Sequence, residues 1–439
     1  MVLTKTLNRI LFGTGLLASA VVAYVATAGN SKIPVNKHSV FLNELGDQAQ
    51  AQAIKTGISF LVLAQFDNGG WGAGLNARQN NMDPKDVQTD PATTAFCAMA
   101  LIRSGSTLSE GPNQKNVKSA LEFLLNAVET SPENTSNITP LTGTQIQVKL
   151  GQNIDVSMTS QFLTRCLDFT KEDANTDARI RAALQKCVNK IQSTQNTNGS
   201  FAGGTWAPVL QSAMANNALE LATREGISVD EKALQKSRDY QAGNVVTQSA
   251  PVEISGKMTS GSSLSYAPAR SMDAGIELYS ASGAYRANAV NSNEAQAIVK
   301  KAKASGKIKG EEVVNKDNLK LAGMDDKDAE DMERSYNAAK QAEKRLQDET
   351  VLSGFGNNGG EEFLSHMMTA ESMVMGSDDS FNEWKGKMFE RIYKVQNGNG
   401  SWSGHHCITS PVFCTAAAVL MLSVENDKQY LIRKKTEDK

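Results

Sequence analysis

The chain has 439 residues and a formal net charge of −2, which gives no basis for nucleic acid or an acidic membrane surface as a partner. Hydrophobic residues make up 40% and charged residues 21%, which excludes a disordered chain and allows a sizeable core. Aromatics are only 6%, and Ala, Leu and Met fill the apolar runs, a composition that favours helix over strand.

The chain opens on a targeting pattern. Lys5 and Arg9 form a basic start, Ile10 to Val25 is apolar and small, and Ala26-Thr27-Ala28 fits a small-x-small cleavage site. Residues 1–28 are expected to be a signal peptide, with retention as an N-terminal membrane anchor as the alternative. The product is then exported, whether periplasmic, secreted or anchored.

From residue 40 onward, polar-faced and uniformly apolar helical stretches alternate. Residues 40–66 read as an amphipathic helix. Asp90-Pro91 opens a nearly all-apolar one, with Asp as cap and Pro in the first turn. The same contrast recurs in 113–130 with 154–170, 176–195 with 207–223, 230–242 with 269–286, 327–350 with 361–375 and 381–396 with 410–425. A helix polar on one side lies outside, and one apolar all round lies inside. The expectation is six outer/inner pairs over 29–425. A lysine-rich helical insertion at 288–326 and a charged tail at 426–439 complete the chain.

Three stretches punctuate the pairs: Gln65-Phe66-Asp67-Asn68-Gly69-Gly70-Trp71, Gln195-Asn196-Thr197-Asn198-Gly199-Ser200-Phe201 and Gln396-Asn397-Gly398-Asn399-Gly400-Ser401-Trp402. Each reads Gln-x-x-x-Gly-x-aromatic, and their separations are near two and three multiples of roughly 65 residues. The Gln is placed to bond backbone at a helix end, the Gly to take φ > 0, and the aromatic to pack on the next unit. Six such pairs bury every inner helix if they close into a ring, so the expected fold is an all-α, α6/α6 toroid. An open solenoid would need polar capping repeats, which the sequence lacks.

In a ring the inner helices run parallel, and their N-termini share one mouth with free N–H groups. Polar residues at those starts are the candidate site. Asp90 and Asp155 read first as ordinary caps. Glu362 and His366 are spaced i, i+4 on one helix face. His405, His406 and Cys407 precede the last inner helix and are zinc-ligand types, although Cys407 and Cys414 do not match a zinc-knuckle spacing. Either zinc, an acid–base pair of Glu362 with one His, or a hydrogen-bonded lock between the last two pairs fits these residues. Cys166 and Cys187 lie on consecutive helices, where burial as free thiols competes with a disulfide.

The three Gln-x-x-x-Gly-x-aromatic stretches resemble the QW repeats of the terpenoid cyclase and protein prenyltransferase superfamily. Asp90-Pro91-Ala92-Thr93-Thr94-Ala95 and Thr409-Ser410-Pro411-Val412-Phe413-Cys414-Thr415-Ala416 are similar to the inner-helix starts that follow those motifs. The resemblance covers most of 40–425. It implies the toroid and, within it, an isoprenoid or other lipid-like ligand. It does not imply one reaction. The Asp-x-Asp-Asp and Asp-Asp-x-x-Asp motifs are missing. His405 or His406 stands at the prenyltransferase zinc His position, with Glu361-Glu362 where Asp-x-Cys is expected. Polysaccharide lyases on similar toroids use a basic residue, a role for which Arg270 is the candidate. The sequence thus leaves three functions open: a cavity protein for a lipid, an enzyme using Asp155, Arg270, Glu362 and His366 with zinc on His405, His406 and Cys407, or a non-catalytic scaffold.

Overall fold

The computed structural model describes residues 35–201, 203, 207–246, 274–354, 356–376 and 378–433. The leader at 1–28, the Ser/Gly-rich stretch around Pro268 and Arg270 all lie outside the described residues. The chain divides into two compact units, 1–52 and 53–439. In the first, residues 46–52 are helical and largely exposed.

Among the described residues the chain is all-helical, with only two isolated bridges, Trp71 with Asp90 and Leu75 with Thr144. In order the helices are α1 (Val35–Ala64), α2 (Pro91–Arg103), α3 (Gln114–Thr130), α4 (Gln145–Leu150), α5 (Ile154–Cys166) and α6 (Ala174–Gln192). They continue as α7 (Pro208–Arg224), α8 (Glu231–Val246), α9 (Ala274–Ala304), α10 (Lys316–Ala322) and α11 (Asp326–Arg345). The last are α12 (Glu349–Leu352), α13 (Gly360–Met375), α14 (Asp378–Lys394), α15 (Pro411–Leu422) and α16 (Lys428–Ile432). No described helix is long and apolar enough to cross a membrane.

Burial separates these helices into the two expected sets. Every described residue of α13 and α15 is buried, and all but one each of α2 and α5. By contrast α3 buries only the stripe Val117, Ala120, Leu121, Leu124, Leu125 and Val128, spacings that put one face of a helix inward. The inner helices touch in sequence, α2 to α5, α5 to α7, α7 to α9, α9 to α13 and α13 to α15, and α15 packs back against α2. At that last junction the rings of Phe96 and Phe413 stack with centroids 4.9 Å apart.

The three repeat motifs form one local structure. Gln65 Nε2 donates to Gly69 O of its own turn (2.8 Å) and to Asn116 O in the next outer helix, α3 (3.0 Å). Gln195 Nε2 donates to Gly199 O and to Ala233 O in α8. Gln396 Nε2 donates to Gly400 O and to Ala53 O in α1. The last outer helix is therefore tied to the first by the bond that ties α1 to α3 and α6 to α8. The glycines explain the motif: Gly69, Gly199 and Gly400 all have φ near +87°, and a Cβ there would strike the backbone of Ser119, Lys236 or Thr56 on that same neighbouring helix. The aromatics Trp71, Phe201 and Trp402 are buried, and each donates its backbone N–H to an inner-helix hydroxyl, Thr94, Ser212 or Thr415.

Two expectations at the edges change. Residues 288–304 continue inner helix α9 without a break, and with α10 and the start of α11 they enclose a small core of Ala295, Val299, Ala302, Ile308, Val314, Leu319 and Ala329. The lysine run at 300–309 is largely the solvent face of this unit. The charged tail begins later than residue 426, because Asp427 and Leu431 are buried and α16 packs on α13. Cys166 and Cys187 are both free and buried, as the thiol reading expected.

Candidate functional site

The N-termini of the inner helices are linked to one another by side chains and by the short helix α4. Asp90 caps α2, accepting from Thr93 N (2.7 Å), Thr93 Oγ1 and Ala73 N. Asp155, in the first turn of α5, serves its neighbour: Oδ1 accepts from Ala92 N at the start of α2 (3.0 Å), and Oδ2 accepts from Gln147 Nε2 (2.7 Å). In α4, Gln145 Oε1 accepts from Thr409 N and Ser410 N ahead of α15, and Lys149 O accepts from Ala207 N ahead of α7. Thr144 starts α4 with a reciprocal capping box to Gln147.

The pair Glu361 and Glu362 lies where α13 meets the loop before α15. Gly360 N donates to Ile408 O, and Ile408 N donates to Glu361 Oε2 (3.2 Å). Glu362 accepts from Gly359 N (2.8 Å) and from the Tyr279 hydroxyl of α9 (2.9 Å), with His406 Nε2 at 3.6 Å. His406 Nε2 also lies 3.1 Å from Asn357 O.

Burial dominates the electrostatics here. It raises Asp90 to about 6 against the pull of its three donors. Burial and the charge of Asp90 raise Asp155 to about 7. Glu361 rises to about 7, again by burial, with Glu362 adding repulsion; its Oε1 is buried and has no hydrogen-bond partner. Burial raises Glu362 as well, while His406 and its two donors pull it down. Burial, together with the adjacent Glu361, pushes the Cys407 thiol up to about 12, so without a bound cation it stays protonated and is a poor nucleophile at neutral pH. His366 is forced down to about 3 by burial in α13 and stays neutral, with Nδ1 unpartnered.

The expected residues therefore separate. Glu362 and His406 come together with Tyr279, which the sequence reading missed because it lies on a helix with no local motif. Glu362 and His366 do share a helix, but the described partners of Glu362 are Gly359 and Tyr279. His405, His406 and Cys407, the expected zinc ligands, do not converge: no three His, Cys, Asp or Glu side chains among the described residues are grouped to hold a metal ion. Consecutive residues on this turn diverge. His405 is exposed and its N–H donates to Asn358 O, His406 faces Asn357, and Cys407 sits at φ 55° beside Glu361. Asp155 has the contacts of a cap, since both its oxygens accept N–H bonds in a buried setting. Arg270 lies outside the described residues. The groups suited to acid–base chemistry are thus mostly consumed in fastening one inner helix to the next.

No family model matches the chain, and a search of the curated proteins finds no match.

Proposed function

We propose that the chain is a closed α6/α6 toroid of the QW-repeat kind that works as a non-catalytic interaction scaffold. The cycle of inner-helix contacts and the Gln396 bond to α1 support the ring. One observation carries the functional part: Phe162, Asn216, Ser365 and Val419, one on each of four inner helices, are each at 0% exposure. A cavity for an isoprenoid would leave its lining residues open to solvent when empty. The carboxylates at the inner-helix starts point the same way: Asp90, Asp155 and Glu362 are bonded to neighbouring backbone N–H groups and to the side chains of Thr93, Gln147 and Tyr279. The leader pattern at 1–28 supports placing this scaffold outside the cytosol, either released by cleavage or tethered to the membrane by that segment.

The test is organic extraction and elemental analysis of natively purified protein, with thermal unfolding in the presence and absence of an isoprenoid diphosphate. The expected result is no stoichiometric lipid, no stoichiometric zinc and an unchanged Tm. An isoprenoid recovered at about one per chain, or a Tm raised by mass action, would overturn the scaffold in favour of the lipid cavity.

A further inference from the structure

The opposite ends of the inner helices carry a second convergence. Arg103 of α2, Arg165 of α5, Arg224 of α7, Arg286 of α9 and Glu371 of α13 form one group with the Leu420 carbonyl of α15. Arg103 donates to Glu371 (2.6 Å), to Asp427 (2.7 Å) and to Leu420 O (2.8 Å), and Arg286 donates to Glu371 (3.1 Å). Arginines in the last turns of α2, α5 and α7 also suit the negative ends of those helices.

The chain's own segment 424–433 lies on this group, and it is read side chain by side chain. Asp427 accepts from Arg103 Nε and Arg165 Nη2. The Tyr430 ring has the guanidinium carbons of Arg165 and of Arg224 each 4.3 Å from its centroid, and Arg224 Nη1 donates to Tyr430 O. Arg433 pairs with Asp168 and Glu225. The charged and aromatic contacts fall at every third residue, Asp427, Tyr430 and Arg433; Asn426 Nδ2 also donates to Arg103 O, Val424 and Leu431 are buried, and Glu425 and Gln429 are exposed. The fit is incomplete: on the receiving surface Arg165 Nε and Arg224 Nη2 are buried donors with no acceptor, the hydroxyl of Tyr430 in the segment itself is also buried and unpartnered, and Arg224 is only 9% exposed. A surface that presents more buried donors than its occupant accepts has the character of a receptor.

We propose that this pole is a peptide-recognition site for the pattern Asp-x-x-Tyr-x-x-Arg, filled in cis by 424–433 and able to take the same segment in trans from a second copy of the chain. Recognition by a charged pair, a doubly stacked aromatic and a second charged pair needs no continuous backbone, so a cut segment retains what the site reads.

The experiment inserts a protease recognition sequence between Ser423 and Val424 and cuts the folded full chain. A labelled peptide of residues 424–433 is then titrated in. Saturable binding at one per chain is expected, weakened about tenfold or more by Asp427→Asn or Tyr430→Ala in the peptide. A cut chain that stays folded by circular dichroism and refuses the peptide, or binds both variants equally, overturns the proposal. If cutting unfolds the chain, the uncut Asp427→Asn/Tyr430→Ala variant replaces it. Uptake of wild-type peptide by that variant supports the proposal. No uptake, or failure of that variant to fold as well, makes the segment a plain structural part and overturns the proposal.

Discussion

Glu361 is the residue whose environment makes the sharpest demand. Oε2 accepts the Ile408 N–H, and buried Oε1 has no hydrogen-bond partner. This is consistent with a folded-state pKa raised from 4.5 to about 7. The protonated form is then favoured by folding. Its contribution to stability is fully present below about pH 4.5 and is lost as pH rises through about 7. His366, depressed to about 3, acts oppositely: its contribution is present above about 6.5 and is lost as pH falls towards 3. Glu361→Gln keeps an acceptor for Ile408 and removes the titration. In urea unfolding at pH 5 and pH 8, wild type should lose stability relative to the Gln variant, by at most about 1.4 kcal/mol per pH unit between the two pKa values. A difference between the two proteins that does not change with pH would show that Glu361 is ionised throughout.

At the scale of elements, three junctions between outer helices use one repeated device, and its third copy tests closure. Gln396 Nε2 bonds Ala53 O, Thr56 Oγ1 and Gly400 O. Gln396→Ala should destabilise by about 1–3 kcal/mol because buried carbonyls lose their donor, and Gln65→Ala by a similar amount. The two sites are far apart in the chain and share no partner, so the effects should add. An effect of Gln396→Ala within about 0.5 kcal/mol, typical of a free surface residue, would mean that α14 has no outer neighbour. This device was legible in the sequence because Gln, Gly and an aromatic at fixed offsets each have one backbone job. The outer/inner alternation was legible for a similar reason, since a helix buried all round must be apolar all round. Helix α4 was missed because six residues carry no periodicity, although Thr144 and Gln147 spell its capping box. The site was read less well than the fold. Glu362 and His406 do approach, but the sequence does not state how consecutive side chains on a turn diverge. Nor does it reveal that Tyr279, far along the chain, completes their contacts.

On the scale of the molecule, both ends of the inner helices are cross-linked, carboxylates and amides at the N-termini and an arginine–carboxylate network at the C-termini. Buried ion pairs of this kind add little over an apolar core, but losing one partner is costly. Their value here lies in connection: Arg103 alone touches α13, α15 and Asp427, and Glu371 passes the contact on to Arg286 in α9. A linear repeat array folds as a sum of neighbour terms and frays from its ends, whereas a ring whose last unit grips its first has no end from which to fray. The chain supplies its own reporters, because Trp71 belongs to the first pair and Trp402 to the last, and both are fully buried. In a protein with Trp206 and Trp384 replaced by Phe, removing either Trp71 or Trp402 leaves a single emitter for each terminal pair. Urea unfolding followed by each emitter should coincide with the loss of helix seen by far-ultraviolet circular dichroism, with one midpoint and one slope, as two-state behaviour requires. A terminal tryptophan that becomes exposed at lower urea than the bulk of the helix would show that the first and last pairs are independent ends. The contact of Phe96 with Phe413 would then be a weak seam rather than the closure of a ring.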